Sequence, residues 1–305
     1  KVGPDFVRPP ADVSSGWLEE DAGRARPLPV DDRLWWTVFR DPVLDRLVET
    51  ATTQNIPLRV AGARVFEARA RLGIAVGEQY PQIQQAVGDA AYVRGSERAP
   101  SAPQRFAGVD FDYRQLQVGA SAAWELDFWG RFRRAVESED AGFLGSIAAY
   151  DSALVSLAAD VARTYVLIRT IEERLRIARD NVEIQRESLR IAEARFRGGA
   201  TSERDVQQAL TQLNATEATI PQLAASLRQA GNALCTLLGL APRNLDTLLG
   251  PASAIPQAPL EVAVGIPADL LRRRPDIRLA ELQAAAQCAR IGVAKADLYP
   301  AFSLN

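Results

Sequence analysis

Glu125 and Asp127 are the pair in this sequence best placed for acid–base chemistry, because two residues apart on a strand they share one face at a separation of about 7 Å. Such a pair needs a proton-relaying partner and a pocket, and neither accompanies it: the chain has no histidine, no nucleophile motif and no phosphate-binding loop. An enzyme reading rests on that pair alone, and no catalytic residue is expected. The chain also lacks methionine, and Cys235 and Cys288 are its only thiols, which removes most residue types that build zinc, copper, haem or cysteine–histidine sites. No metal and no cofactor is expected. Both cysteines sit among Ala and Leu in helical patterns, where they read as small buried apolar residues, and no disulfide follows from the pair.

The remaining composition sets broad limits. Thirty-six Lys and Arg against 38 Asp and Glu give a net charge of −2, with both signs interspersed, so there is no basic field for nucleic acid. With 47% hydrophobic residues in 305, the chain can bury a sizeable core in one large or two ordinary domains. No unbroken run of 18 apolar residues occurs, so no helix is expected to cross a bilayer, and a membrane crossing would need a β-barrel. A chain that opens at Lys1 without any methionine is expected to have lost its natural start, and with it any targeting signal.

The elements that would position these residues read as follows. Residues 1–40 form an N-terminal arm, expected to run extended because Pro4, Pro9, Pro10, Pro27 and Pro29 block regular helix. A helix starts at Asp41-Pro42, an N-cap acid before a proline, with Leu44, Leu47 and Val48 on one face; a second runs from about Pro57 to Gln79. From Gln115 to Phe128 the period changes to two: Leu116, Val118, Ala120, Ala122, Trp124, Leu126 and Phe128 share one face, and Gln115, Gln117, Gly119, Ser121, Ala123, Glu125 and Asp127 the other. Residues 82–94 supply a partner strand, with Ile83, Val87, Ala91 and Val93 on a face that Gln85 and Asp89 interrupt, and a polar loop from Gly95 to Tyr113 joins the two. A soluble sandwich would alternate in the same way, but the strand's length and the cluster of Trp124, Phe128 and Trp129 at one end favour a membrane barrel with an aromatic girdle.

Residues 131–196 hold no proline and few glycines, which predicts one near-continuous helix on the order of 100 Å long. Its apolar residues recur at a mean spacing near 3.5 through Leu154, Leu157, Val161, Tyr165, Ile168, Ile171, Leu175, Ala178, Val182, Leu189, Ala192 and Phe196, a coiled-coil seam. A second seam at Ile177, Ile184 and Ile191 implies neighbours on two sides, as in a bundle or a ring. Glu172, Arg176, Arg179 and Glu183 read as a solvated face. Gly198-Gly199 should end the helix, and Ser202 with Asp205 should cap a return helix that Pro221 should kink.

An internal repeat lies beneath this order. At an offset of 219, Arg59 matches Arg278, Ala61 Ala280, Ala70 Ala289, Arg71 Arg290, Gly73 Gly292, Ala75 Ala294, and Tyr80-Pro81 Tyr299-Pro300. The second copy is expected to continue past Asn305, on the order of 165 residues beyond the start of its first strand. Residues 1–305 alone, holding half the strands, are expected to form no conducting pore.

The segments KVGPDFVRPP, WWTVFRDPVLDRLV, AWELDFWGRFRRAV, ARFRGGATSERDVQQA, LCTLLGLAP, IPADLLRRRPDIR and LYPAFSL, in this order along the whole chain, resemble the TolC-type outer-membrane efflux channels, and among them the lipoprotein branch of OprM-, CusC- and NodT-like chains. The resemblance implies a mainly α fold with a β-barrel part: a long antiparallel coiled-coil hairpin of a periplasmic α-barrel plus strands of a trimeric outer-membrane barrel. It implies an N-terminal arm at 1–40, an equatorial short-helix region at 41–80 and 238–298, a barrel hairpin at 81–129, a periplasmic hairpin at 130–237 and the start of a third strand at 299–305. It also implies a lipid face at Leu116, Val118, Trp124, Leu126 and Phe128, and a water-filled lumen lined by Gln115, Gln117, Ser121, Glu125 and Asp127. The hairpin tip, through Arg195, Arg197, Gly198, Gly199, Thr201, Ser202 and Asp205, would dock a periplasmic adaptor protein of an inner-membrane pump.

The function so implied is a homotrimeric, passive exit duct for drugs or other small solutes, set in outer-membrane lipid with a periplasmic extension. The branch usually carries an acylated cysteine before the Val-Gly-Pro-Asp segment, where this chain has Lys1, so a lipid anchor is implied by the family and not by a residue present. Two alternatives stand beside it: a soluble coiled-coil adaptor or scaffold, which the long hairpin alone would permit, and the outer-membrane duct of a type I protein secretion system.

Overall fold

The computed structural model describes residues 1–10, 25–27, 32–94, 112–258, 262–264 and 273–305. Most of the loop expected from Gly95 to Tyr113, part of the N-terminal arm and part of the segment from Ile266 to Arg278 lie outside the described residues. The chain divides into two compact units, one of Lys1–Pro9, Phe66–Gly145 and Ala280–Asn305, the other of Pro10–Val65 and Ser146–Leu279.

The second unit holds the apolar core. Helix α1 (Pro42–Gln54) starts where the Asp-Pro pair places it: Asp41 Oδ1 accepts from the backbone N–H of Val43 at 2.8 Å and of Leu44 at 3.3 Å. Leu44, Leu47, Val48 and Ala51 then form its buried face, in one cluster with Leu157, Val161 and Ile168 of helix α3 (Arg131–Arg197) and Ala230, Leu234 and Cys235 of helix α4 (Glu203–Leu237). Each large aliphatic side chain buried there contributes about 1.5–3 kcal/mol. Cys235 is a free, fully buried thiol packed as an apolar residue, and Cys288 is also free. Between α1 and helix α2 (Ile56–Gly77), Asn55 links two helix ends: its Oδ1 accepts from Leu58 N at 2.8 Å and its Nδ2 donates to Leu237 O at 2.9 Å. At Gly239, where φ is +69°, a Cβ would fall 2.4 Å from Gln54 O, so both the left-handed turn and the close approach require glycine there.

A buried polar relay fixes α1 to α3. Tyr165 donates to Asp41 Oδ2 at 2.7 Å and accepts from Arg169 Nε at 3.2 Å. Arg169, only 1% exposed, donates to Glu172 at 2.9 Å and to the carbonyls of Leu249 at 2.5 Å and Pro251 at 3.3 Å, so it also holds the segment that follows the short helix α5 (Asp246–Leu249). Glu172, expected on a solvated face, is thus the counter-ion of a buried guanidinium.

The arm is not extended throughout: Asp32–Phe39 coil into a 3-10 helix, because its aromatic residues find partners at that period. Trp35 meets Trp36 and Phe39 edge to face at 6.0 and 6.4 Å, and all three pack against the core. Strand β1 (Ala25–Pro27) pairs in parallel with strand β4 (Val262–Val264).

Helix α3 runs unbroken for 67 residues. Leu157, Val161, Tyr165, Ile168, Ile171, Leu175, Ala178 and Val182 of the expected seam are buried, Leu154, Leu189 and Ala192 half-buried, and Phe196 exposed. The second seam differs from expectation: Ile177, Ile184 and Ile191 are exposed, Ile184 by 65%, so no described residue seals it. The expectation that no helix is apolar enough to cross a bilayer is corrected as well. An 18-residue window of α3 reaches a mean hydropathy of 1.3, enough by length and composition, because Ala, Leu and Val fill two faces of the helix instead of one. The helix is roughly three times longer than the ~20 residues a span takes.

The hairpin turns as its glycines dictate. Gly199 takes φ +68°, and Ala200 N donates to Arg195 O at 2.8 Å and Gly199 N to Phe196 O at 2.9 Å, the paired bonds of a Schellman ending. Helix α4 begins with a capping box between Ser202 and Asp205 and continues through Pro221 as one element, although the ring removes the bond to the carbonyl of Glu217. An ion pair of Arg186 with Glu217 at 2.7 Å ties the two helices of the hairpin.

In the first unit, strand β2 (Ile83–Arg94) pairs antiparallel with β3 (Asp112–Leu126), and strand β5 (Phe302–Leu304) pairs antiparallel with the other edge of β3, giving the order β2-β3-β5. Helix α6 (Pro275–Ala296) precedes β5. The start of the arm is clamped here: Arg134, buried, donates to Val2 O at 3.0 Å and Gly3 O at 2.9 Å, Lys1 pairs with Glu137 at 2.7 Å, and Arg8 pairs with Glu281 at 2.8 Å. Arg134 and then Lys1 hold the Asp5 carboxyl below its ordinary pKa.

Two outcomes test the relay. Arg169→Ala strips buried partners from Tyr165 and two carbonyls and should cost about 3 kcal/mol or more in denaturant unfolding, against about 1–2 for Tyr165→Phe; an Arg169→Ala variant as stable as its parent contradicts the relay. Burial raises the Tyr165 phenol above its ordinary value near 10, so the stability it contributes is intact below that pH and is lost as pH climbs through the higher folded value. A pH series should show this alkaline loss in the parent and a smaller one in Tyr165→Phe.

Candidate membrane hairpin and helical tip

The register of the sheet decides which side chains share a face. Directly opposite residues of β2 and β3 lie on one side: Ala90 faces Leu116, Gly88 faces Val118, Ala86 faces Ala120 and Gln84 faces Ala122. β5 extends the same side, with Leu304 opposite Trp124 and Phe302 opposite Leu126. On β3 this face is apolar from Leu116 to Leu126, with Gln84 of β2 as a polar residue beside Ala122, and with Tyr92, Arg94, Asp112 and Arg114 at its far end. The other face pairs Gln115 with Ala91, Gln117 with Asp89, Gly119 with Val87, Ser121 with Gln85, Ala123 with Ile83 and Glu125 with Ser303.

One sequence expectation falls here. Ile83, Val87, Ala91 and Val93, read as the apolar face of the partner strand, lie on the side of the sheet that carries Gln115, Gln117, Ser121 and Glu125 of β3. Parity, not the size of the apolar residues, sets the face, and a strand whose even positions are only Ala and Gly between Gln84 and Tyr92 hides which side is apolar. Small residues suit the Leu116 and Val118 side, since those two long side chains stand beside Ala90 and Gly88.

Among the described residues neither face is covered. Leu116 is 78% and Val118 80% exposed, while Gln115, Gln117 and Ser121 on the other face are exposed as well. An apolar stripe this open on a two-faced sheet is the mark of a surface meant for another medium or another protein.

The aromatic residues gather at one end of β3. Phe128 meets Trp129 edge to face at 5.0 Å and Phe302 at 5.9 Å, and Trp129 stacks on Tyr299 at 4.5 Å while donating to Pro300 O at 2.9 Å. Trp124 is turned to the same end, its indole N–H donating to Gln79 O at 3.1 Å. The polar side of this end is built on carboxylates and amides. Gln82 continues the ladder past Ile83, its Oε1 accepting from Glu125 N at 2.8 Å.

Glu125 and Asp127, the candidate acid–base pair, have separate tasks. Glu125 accepts from Arg131 at 3.1 Å, and Arg131 also pairs with Asp297 at 3.3 Å. Asp127 lies just beyond the strand and caps α3: its carboxylate accepts from Phe132 N at 3.2 Å, from Arg133 N at 3.0 Å and from the Arg133 side chain at 3.1 Å. The cavity beside them is about 110 Å³, below the roughly 300 Å³ of a small ligand site. The sequence signal for the cap was present, an acid followed by a glycine and a helix-forming run, but strand alternation claimed the same residue.

At the tip of the α3–α4 hairpin, Arg195, Arg197, Gly198, Gly199, Ser202 and Asp205 are exposed and Thr201 is half-exposed. Asp205 accepts from Thr201 Oγ1, from Ser202 N at 3.3 Å and from Ser202 Oγ at 3.2 Å, and these bonds, Thr201 first, hold its carboxyl below the ordinary range. The turn is therefore shaped by its own hydrogen bonds at neutral pH, with the charge of Arg204 adding a smaller stabilisation of the Asp205 carboxylate.

Comparison with known proteins adds three findings. The family described as outer membrane efflux protein matches residues 47–240. Nodulation protein T of Rhizobium leguminosarum bv. trifolii is 31% identical over 100% of this chain and 63% of its own length, and the pyoverdine export outer membrane protein OpmQ of Pseudomonas putida is 33% identical over 98% and 62%. The chain thus spans about three fifths of the length of these curated relatives. The outer-membrane channel OprN superimposes with a TM-score of 0.85 at 36% identity, over 99% of this chain and 66% of that one. On the extent of these matches, this chain belongs to the outer membrane efflux protein family.

Proposed function

We propose that the complete protein is the outer-membrane channel of a tripartite efflux system, a passive exit duct carrying drugs or other small solutes from the periplasm. The observation that carries this reading is the register of the sheet: the β3 residues of one face, from Leu116 to Leu126, are apolar and continued by Phe302 and Leu304, and the opposite face holds Gln115, Gln117, Ser121 and Glu125. A hairpin with lipid on one side and water on the other satisfies both faces. The aromatic group of Phe128, Trp129, Tyr299 and Phe302 suits the polar boundary of the bilayer.

The remaining parts follow from the same reading. Leu116, Val118, Trp124, Leu126 and Phe128 face lipid, and Gln115, Gln117, Ser121 and Glu125 line the lumen, with Asp127 at its rim as a helix cap. Three copies close the barrel, which three strands leave open at the β2 edge. The hairpin at 130–237 extends into the periplasm, where the tip from Arg195 to Asp205 docks an adaptor protein of an inner-membrane pump. The segments 41–80 and 238–298 form the equatorial region, and a lipid anchor precedes Lys1. A soluble scaffold leaves the exposure of Leu116 and Val118 without a purpose.

The two faces are tested by thiol accessibility in outer-membrane vesicles, with Cys235→Ala and Cys288→Ser as background. A charged maleimide should label Gln117→Cys at least about tenfold faster than Val118→Cys, because only the lumen side meets water. Equal rates at the two positions contradict the assignment.

A further inference from the structure

Between the two helices of the long hairpin lies a cavity that the duct does not use. Ile168, Glu172, Leu175 and Arg179 line it as one stripe of α3, and Ala224, Leu227, Arg228 and Gly231 as the facing stripe of α4. The chain after α4, from Pro242 to Asp246 and again at Leu249, makes the third wall. All of these residues belong to the second unit. The cavity measures about 630 Å³, within the roughly 300–1,000 Å³ of small-molecule sites. Its floor is aliphatic: Leu175, Leu245 and Leu249 belong to the buried core, and Leu227 packs against it.

The charges around this floor do not balance. The Glu172 carboxylate is taken by buried Arg169 at 2.9 Å, and Asp246 accepts from Asn244 Nδ2 at 2.8 Å. Glu173 and Asp180, which line an adjoining hollow past Leu175, both pair with Arg176, at 2.6 and 2.8 Å. Arg179, Arg228 and Arg243 are exposed and have no ion pair among the described residues. A guanidinium keeps its charge at every pH the protein meets. Three fixed cations from three different segments therefore rim a dry floor with every neighbouring acid already engaged.

Gly231 keeps the space open. Glycine costs a helix interior about 1 kcal/mol relative to alanine. No close backbone approach requires it here, since a Cβ would meet nothing nearer than Leu245 Cδ1 at 3.9 Å. What glycine supplies at this position is room.

We infer that this cavity is a binding site for an organic carboxylate, its head held by Arg179, Arg228 and Arg243 and its apolar body laid on Leu175, Leu227 and Leu245. The planar guanidinium matches a carboxylate with two parallel N–H···O bonds, which an ammonium group cannot do. An inorganic anion would satisfy the rim and leave the floor wet, and a neutral apolar molecule would do the reverse. The site needs neither the lumen nor a second copy of the chain, so its failure leaves the duct standing.

The test is photolabelling of the complete protein in lipid nanodiscs with 4-benzoylbenzoate, an aromatic carboxylate, against its neutral carboxamide. The carboxylate should give adducts that mass spectrometry maps to residues 168–179, 224–232 or 242–249. The carboxamide should label these segments at least about tenfold less, the loss expected when charge-assisted hydrogen bonds are removed. Inorganic phosphate, matched for ionic strength with chloride, should not compete. Replacing Arg179→Gln and Arg228→Gln together should lower labelling by a similar factor. Gly231→Leu should block it with all three charges in place. Equal labelling by carboxylate and carboxamide in the parent protein overturns the inference without recourse to any variant. So do adducts confined to other segments, competition by phosphate, or labelling that survives both sets of substitutions.

Discussion

A helix of 67 residues cannot bury its own sides, and that constraint governs the rest of this chain. Over residues 157–175 one side of α3 is sealed by α1, α4 and the segment around Leu249, and the relay through Asp41, Tyr165 and Arg169 sets the rotation of the helix within that core. Burying a guanidinium is costly, so it is tolerated only with every donor engaged, and Arg169 has partners for each of its nitrogens. The cost has a structural return in specificity: two backbone carbonyls, one hydroxyl and one carboxylate must all be in place. The other side of the helix, with Ile177, Ile184 and Ile191, has no cover among the described residues.

The sheet poses the same problem in a different medium. Its two faces differ in polarity residue by residue, yet both are open, and no core of its own stabilises the hairpin beyond backbone pairing and the aromatic group at one end. A two-faced hairpin is stable in such a state only when lipid or further strands cover it. The open seam on α3 and the open edge of β2 are thus two versions of one feature, surfaces that no described residue covers.

Periodicity made the elements legible. The change from a period of two to one near 3.5 located β3 and α3, the Asp41-Pro42 pair located the start of α1, and Gly198-Gly199 with Ser202 located the hairpin turn, since each signal is local and physical. Polar residues that act at long range were not legible. Arg134 and Arg169 look like ordinary helix-surface arginines, and only the fold shows that Val2, Gly3, Leu249 and Pro251 present carbonyls to them. Asp127 was placed with the strand because its parity fits, although the strand ends one residue earlier and the helix claims its carboxylate. The partner strand was recognised but its apolar face was not, since parity depends on a register that Ala86, Gly88 and Ala90 do little to announce. The 3-10 helix at Asp32–Phe39 escaped notice for a related reason: prolines upstream suggested an extended arm, and the aromatic contacts that coil it are tertiary.

The central claim, that the β2–β3 hairpin is wall material of a water-filled duct, is tested most directly by single-channel recording in a planar bilayer. The complete protein should give reproducible conductance steps, and residues 1–305 alone, with an open β2 edge, should give none. Silence from the complete protein, or equal steps from the shorter chain, would contradict the account.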